Sequence, residues 1–225
     1  SRTNPLAAGA GRFLYARGVD DDALERFGVG FAPAGWDNLA NVLRSKGFTE
    51  RELVASGLCG EGAGGRRVYD RFRDRIMWPI RDVTGATVGF GGRRLSEEDA
   101  TVPKYLNTPE TAIYHKGQVL YGLDLAKRDI AAGHRVVVVE GYTDVMAAHL
   151  SGVTTAVATC GTAFGADHAR IVRRLLGDVA DPSAGVITGR RARGGEVVFT
   201  FDGDAAGQKA AMAAFQEDQR FVAQT

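Results

Sequence analysis

Three acidic residues follow two apolar segments of the sequence, and they are the residues best suited to do chemistry. Val136 to Val139 is a β-branched run that ends at Glu140, and the apolar run Val197 to Phe201 ends at Asp202 and Asp204. Asp202 and Asp204 are two positions apart, so in extended backbone their side chains project to the same side. Clustered carboxylates are hard oxygen ligands suited to Mg²⁺ or Mn²⁺. The spacing therefore predicts a divalent-metal site.

A further acid, Asp144, begins the helix predicted after Glu140 and has two explanations. It could reach a second metal ion through water, or it could be an ordinary helix cap, since Asp is favoured at that position. The corresponding alternative for Glu140, Asp202 and Asp204 is structural hydrogen bonding at strand ends. Acids that converge with no basic residue in the same turns repel one another unless a cation joins them. The metal-binding interpretation is therefore favoured.

The elements that must position these acids alternate between strand and helix beyond Gly133. Strands are predicted at 136–139, 155–158 and 197–201, and helices at 144–151, 167–176 and from 205 onward. This alternation indicates right-handed βαβ crossovers and a mostly parallel sheet, an α/β fold. The carboxyl ends of such strands meet at one edge, where open α/β sheets carry their chemistry. A long glycine-rich loop with a basic stretch, 177–195, interrupts the pattern and is expected to be mobile.

The part of the chain before Gly133 has a different, mixed pattern. Short helices are predicted at 12–16, 20–26, 38–46 and 49–56, and strands at 68–69, 75–80, 87–90 and 118–121. We therefore expect an α+β subdomain over 1–132 and an α/β subdomain over 133–225, with the boundary at Gly133. Trp36, Trp78 and Phe90 are expected in the core.

Composition indicates an ordinary soluble protein, with 44% hydrophobic and 24% charged residues among 225. No apolar run approaches the ~20 residues that cross a bilayer, and no signal-peptide pattern begins the chain, so a cytoplasmic protein without membrane contact is expected. A formal net charge of +1 does not by itself indicate nucleic-acid binding. Cys59 and Cys160 stand alone, which argues against a disulfide framework or a zinc site. The four histidines suggest no ligand pair.

Short motifs around the acids resemble one known fold. The Toprim fold, shared by bacterial DNA primases, topoisomerases and some nucleases, is similar to this chain in Glu140-Gly-Tyr-Thr-Asp144, Cys160-Gly-Thr162 and Phe201-Asp-Gly-Asp204-Ala-Ala-Gly207. Flanking segments narrow the resemblance to the catalytic core of bacterial DnaG-type primases. These are Phe27-Gly-Val-Gly-Phe-Ala-Pro33, Arg75-Ile-Met-Trp-Pro-Ile-Arg-Asp82, Gly89-Phe-Gly-Gly-Arg93, Pro103-Lys-Tyr-Leu-Asn-Thr-Pro-Glu110 and Tyr114-His-Lys-Gly117.

The resemblance implies an enzyme that makes short RNA primers on single-stranded DNA from ribonucleoside triphosphates, with Mg²⁺ or Mn²⁺ as cofactor. Asp202 and Asp204 would bind metal, Glu140 would be a ligand or base, and Asp144 would reach the second ion. The implied nucleotide- and template-binding residues are Arg75, Arg93, Lys104, Tyr105, Asn107 and Lys116. Arg71 and Arg73 are either phosphate contacts or solvated charges. Such an enzyme would work at the replication fork in the bacterial nucleoid.

The chain departs from the family pattern in what it lacks. We expect a trimmed core, without the further acidic strand of the family, its zinc-binding module, or the domain through which the replicative helicase would be contacted. Three other functions stay open, namely a Toprim nuclease, a topoisomerase fragment and a non-catalytic nucleic-acid-binding module. A topoisomerase would need a catalytic tyrosine in a separate domain and would leave the segment Pro103 to Glu110 unexplained.

Overall fold

The chain forms two compact units in the computed structural model, which describes residues 5–65, 67–95, 101–177, 195–203 and 207–208. The first unit comprises Ser1–Ile80 and Thr87–His115, and the second comprises Arg81–Ala86 and Lys116–Thr225. The domain boundary expected at Gly133 stays a prediction. The helix predicted from 205 onward and the basic loop lie outside the described residues, except for Gly207, Gln208 and the loop's two ends.

The first unit is built from short helices and strands in mixed order. In chain order they are α1 (Pro5–Tyr15), α2 (Asp21–Phe27), β1 (Gly30–Ala32), α3 (Asn38–Ser45), α4 (Glu50–Ala55), β2 (Cys59–Glu61), β3 (Val68–Asp70), β4 (Arg75–Arg81), β5 (Thr87–Arg94) and β6 (Tyr105–Asn107). Strand β4 runs on into the second unit at its last residue. Helix α4 begins with a capping box, in which the Thr49 N–H donates to Glu52 Oε2 at 2.7 Å.

Two sheets organise the first unit, a four-stranded sheet in the order β1-β4-β5-β6 and the antiparallel pair β2–β3. Strand β1 pairs antiparallel with β4 only as far as Met77, which leaves Pro79 beyond the end of β1. Proline lacks a backbone N–H, so it is tolerated at such a local edge although β4 is an inner strand. Trp78 and Ile80 of β4 are fully buried.

The second unit is an α/β sheet with helices. Its elements are β7 (Leu120–Tyr121), α5 (Leu123–Gly133), β8 (Arg135–Val139), α6 (Tyr142–Leu150), β9 (Ala156–Thr159), α7 (Ala166–Leu176) and β10 (Glu196–Phe199). The strand order is β10-β8-β9-β7, with β8 parallel to both β10 and β9 and β7 antiparallel to β9. The predicted α/β fold with a mostly parallel sheet is confirmed.

Burial of β-branched residues explains this sheet. Val136 and Val138 of β8 and Val197 of β10 lie in a single apolar cluster with Val172 and Leu176 of α7. A strand covered on both faces needs no polar alternation, which is why its sequence reads as a continuous apolar run. Within the described ranges, no helix is long and apolar enough to span a membrane.

Candidate metal centre and nucleic-acid surface

Glu140 and Asp202 lie together at one edge of the parallel sheet. Glu140 directly follows β8, and Asp202 lies three residues after β10, its parallel neighbour. The Asp202 backbone N–H donates to Glu140 Oε1 at 2.7 Å, and both residues are exposed. The hydrogen bond from Thr200 N to Val138 O, at 2.9 Å, carries the pairing past the end of β10. The topology thus brings these two acids together, and their metal-binding role stays a prediction.

Gly141 is the N-cap of α6 and Asp144 lies in the first turn, so the alternative that Asp144 is the N-cap was wrong in position. Its Oδ2 accepts the backbone N–H of Gly141 at 3.0 Å. Partial desolvation raises the pKa of Asp144, the Gly141 N–H lowers it, and the Asp202 carboxylate raises it further. Asp144 therefore makes a capping contact to Gly141 and is an electrostatic neighbour of Asp202.

The chemistry of these donors fits a hard divalent cation. Glu140, Asp144 and Asp202 present carboxylate oxygens, and the repulsion felt by Asp144 is what a cation would relieve. Within the ranges that the structure describes, no group of three or more His, Cys, Asp or Glu side chains has the geometry of a metal site. Asp204, predicted as a ligand, lies outside those ranges. Binding of Mg²⁺ or Mn²⁺ by Glu140, Asp144, Asp202 and Asp204 therefore stays a prediction.

Lys116 lies in the same unit, and a buried histidine holds its backbone. Lys116 begins a short 3₁₀ turn before β7, and its carbonyl oxygen is 3.0 Å from His168 Nε2. The Gly165 N–H donates to His168 Nδ1 at 3.2 Å, so Nε2 carries the proton and donates to Lys116. His168 is 1% exposed. No role was predicted for His168, because its partner Lys116 is 52 positions away in the sequence.

We expect protonation of His168 to lower the stability of the protein in mild acid. Burial lowers the pKa of His168 below its ordinary value of 6.5, so the unfolded chain takes up the proton first. The contribution of His168 is therefore complete above about pH 6.5 and is lost as the pH falls towards the folded-state pKa. Thermal denaturation from about pH 8 to about pH 5 should show a smaller decline for His168→Gln than for the unsubstituted protein. An unchanged decline in His168→Gln, with exposed His115→Gln as control, would contradict this.

Two arginines predicted to bind nucleotide or template are nearly enclosed in the first unit. Arg75 is 3% exposed and donates to the carbonyl oxygens of Pro103 at 2.8 Å, Lys104 at 3.1 Å and Gly92 at 3.4 Å. Arg93 is 6% exposed, donates to Arg94 O at 3.0 Å and lies over the Phe13 ring at 4.1 Å. Arg75 thus fixes the backbone that carries Lys104. Its predicted phosphate contact stays untested, and the guanidinium has another use here.

The other predicted binding residues of the first unit follow this anchored backbone. Lys104 and Tyr105 are exposed, and Asn107 is half-buried. Strand β6 pairs antiparallel with β5, which places Tyr105 opposite Arg93. The Asn107 carbonyl oxygen accepts a hydrogen bond from Arg71 Nε at 3.3 Å. Lys104 and Tyr105 are therefore free to meet a ligand, while Arg71 also supports the strand.

An aromatic cluster with one exposed ring was not foreseen from the sequence. Trp78 is buried as expected and Phe90 is half-buried, but Trp36 is 55% exposed, so its expected core position was wrong. The Arg73 guanidinium lies 4.0 Å from the Trp36 ring centre, and Tyr69 meets that ring edge-on at 5.8 Å. We call Trp36, Tyr69 and Arg73 the stacking platform. An exposed aromatic ring beside an arginine suits an unpaired base and its phosphate.

Comparisons with known proteins cover both units. A model of the DNA primase catalytic core, N-terminal domain, matches residues 3–127, and a Toprim model matches residues 134–224. The DNA primase of Streptomyces coelicolor is 60% identical over 99% of this chain and 32% of its own length. That of Mycobacterium tuberculosis is 51% identical over 97% of this chain and 32% of its own length. The chain thus spans about a third (32%) of these relatives.

Solved structures agree with the sequence matches. The RNA polymerase domain of Mycobacterium tuberculosis primase DnaG matches with a TM-score of 0.83 and 51% identity, over 97% of this chain and 67% of that chain. A DnaG primase catalytic domain bound to single-stranded DNA matches with a TM-score of 0.75 and 40% identity, over 95% of this chain and 60% of that one. Both units of this chain therefore have counterparts in one family of proteins.

Proposed function

Because the chain belongs to the family of DNA primase catalytic cores, we propose that it synthesises RNA primers on single-stranded DNA by metal-dependent nucleotidyl transfer. The observation that carries the proposal is the pairing of Glu140 with Asp202 at adjacent parallel strand ends, joined at 2.7 Å. The 3′-hydroxyl of one ribonucleotide attacks the α-phosphate of the next, and pyrophosphate leaves. The expected place of action is the replication fork in the nucleoid.

The acids divide the work of this reaction. A bound Mg²⁺ or Mn²⁺ would stabilise charge on the attacking and leaving oxygens. Glu140 Oε1 already accepts the Asp202 N–H, which fixes the carboxylate and leaves its other oxygen to bind metal or to accept the hydroxyl proton. Asp202 keeps its own carboxylate for metal, since its backbone makes the contact to Glu140. Asp144 orients the start of α6 through Gly141 and adds negative charge.

Cationic and aromatic residues would hold the substrates. Lys116 and Lys104 carry amines that suit phosphate, and each has its backbone anchored by a buried side chain, His168 or Arg75. The stacking platform suits the bases of a single-stranded template, and sequence-tolerant stacking is what primer synthesis along varied templates needs. The relative bound to single-stranded DNA supports this choice of template.

Template-directed incorporation of ribonucleotides tests the proposal. Labelled ribonucleoside triphosphates are supplied with a single-stranded DNA template and either Mg²⁺, Mn²⁺ or a chelator. RNA products that appear only with metal and template are expected. Degradation of the template would favour a Toprim nuclease, and binding without any product would favour a non-catalytic module. Either result would contradict the proposed function.

Neutralising the anchored lysines should separate nucleotide contacts from template contacts. If Lys104 or Lys116 contacts template phosphate, its change to Ala should weaken DNA binding and flatten the log–log salt dependence by up to ~1. If it contacts nucleotide, the change should raise the KM for ribonucleotides instead. Lys46→Ala, an exposed lysine at the end of α3, is the matched control. A lysine variant that changes neither quantity shows that this lysine is only a solvated surface charge.

A further inference from the structure

Asp70, the last residue of β3, is a buried carboxylate whose partners are backbone groups. It is 3% exposed. Its Oδ2 accepts the Leu39 N–H at 2.7 Å, and its Oδ1 accepts the Ala40 N–H at 2.9 Å. A buried charge is tolerated when hydrogen bonds replace its hydration, and both carboxylate oxygens have such a bond here. Since this residue is enclosed, it serves the arrangement of its neighbours rather than a ligand of its own.

The two N–H groups that donate hydrogen bonds to Asp70 belong to the first turn of α3. The residue that precedes the helix, Asp37, makes no side-chain cap. The first-turn N–H groups of a helix have no partner within the helix, and a negative charge near them is favourable. Asp70 therefore replaces the local cap from 30 positions along the chain. The start of α3 is fixed to the end of β3.

The backbone of Asp70 is tied to the stacking platform on both sides. Its N–H donates to Trp36 O at 2.7 Å, and its carbonyl oxygen accepts a hydrogen bond from Arg73 Nη1. Tyr69 is its neighbour in the chain. Trp36 is thus held through its own carbonyl and through the helix that begins two residues later, and the cation over its ring is held by the same residue. Trp36 and Arg73 are thus hydrogen-bonded to the Asp70 backbone, and Tyr69 adjoins it in the chain.

We propose that Asp70 is a positioning residue for template binding, which holds the exposed Trp36 ring and the Arg73 guanidinium ready for an unpaired base. This inference rests on the proposed function, since it takes the platform as the template contact. A ring fixed in its binding position loses less conformational freedom when the base arrives than a freely moving ring does. The buried carboxylate thus contributes to affinity although it never touches DNA.

For Asp70→Asn, a positioning role and a simple charge effect predict opposite changes in DNA affinity. Removing a negative charge from a DNA-binding surface should by itself strengthen DNA binding. Asn instead presents an NH₂ group to one of the two backbone N–H groups, so the start of α3 and Trp36 must shift. We expect binding of a fluorescent single-stranded oligonucleotide to weaken by about tenfold, which is the size of one lost base stack. The salt dependence should stay unchanged, because no phosphate contact is removed.

A double-substitution cycle separates positioning from general damage to the fold. If Asp70 acts through Trp36, then Asp70→Asn should cause no further loss of DNA affinity in Trp36→Ala. Asp20→Asn is the matched control, because Asp20 caps α2 through the Ala23 N–H at 2.8 Å and has no contact with the platform in the described structure. The chain has two tryptophans, so a Trp78→Phe variant keeps only Trp36. In that variant, Asp70→Asn should change the quenching of Trp36 fluorescence by iodide.

The outcomes are decisive in either direction. Weaker binding by folded Asp70→Asn, absent in Trp36→Ala, supports the inference. Unchanged or tighter binding, or additive losses in the double variant, overturns it. If Asp70→Asn fails to fold, Asp70→Ser retains one acceptor and is judged by the same cycle. Primer synthesis by the unsubstituted protein is measured in parallel, so a failed primase assay is told apart from a failed role for Asp70.

Discussion

Replacing Asp202 with Asn should abolish primer synthesis, with ribonucleotide incorporation reduced by about a thousandfold or more. The expected cause is loss of the charge that holds the metal, since Asn keeps the size and one oxygen of the side chain. The contact between Asp202 and Glu140 should survive, because the backbone N–H of residue 202 makes it. Incorporation assays at saturating Mg²⁺ measure the effect.

The same change should leave the fold intact and relieve a repulsion. The Asp202 carboxylate raises the pKa of Asp144, so its neutralisation should leave the melting temperature unchanged or raise it. Asp167→Asn is a suitable control, since Asp167 is a first-turn acid of α7 paired with Arg170 at 2.6 Å. Near-normal activity in Asp202→Asn, or anomalous density of soaked Mn²⁺ elsewhere with none near Asp202, would contradict the metal role.

Replacing Arg75 with Lys should cost both stability and activity. Lys keeps the charge but cannot reach the Pro103, Lys104 and Gly92 carbonyl oxygens together. If Lys keeps one of the three bonds, the loss of the other two costs about 2 kcal/mol of unfolding free energy. For a chain of 225 residues, that corresponds to a melting temperature lower by about 4–8 °C. Thermal denaturation and primer synthesis below the melting transition measure the two losses.

The contrast with Lys104 decides what Arg75 does. Lys104→Ala should lower nucleotide or template affinity at an unchanged melting temperature, because its side chain is exposed. Arg75→Lys should lower both, since it releases the backbone that carries Lys104. If Arg75→Ala instead weakened phosphate binding while the melting temperature stayed within about 1 °C, Arg75 would be a direct ligand, as its motif implied.

The second unit was largely predictable because its signals are local. The uniform apolar run of β8 indicates a strand covered on both faces, and parallel strands end at one edge. The meeting of Glu140 with Asp202 follows from those two facts. Strand β7 was expected outside this sheet, because its two residues carry no signal for an antiparallel partner.

The first unit contains what the sequence could not reveal. In the sequence, Arg75 is recognisable only as a positive charge. The backbone carbonyl groups that surround it come together only when β4, β5 and the Pro103–Lys104 segment meet in the fold. Trp36 is an apolar residue in the sequence, whereas its exposure and the hydrogen bond from the Asp70 N–H to its carbonyl oxygen are seen only in the fold. Contacts between residues dozens of positions apart produce no periodic pattern in the sequence, so they could not be predicted from it.

The long-range cap of α3 also indicates when this helix forms relative to β3. A helix of eight residues is too short to persist alone in water. Its first turn gains its acceptor only when β3 arrives, and the loop between them must close first, at an entropic cost. We therefore expect helix α3 to be completed together with β3, and the surface that carries Trp36 to form only at that step.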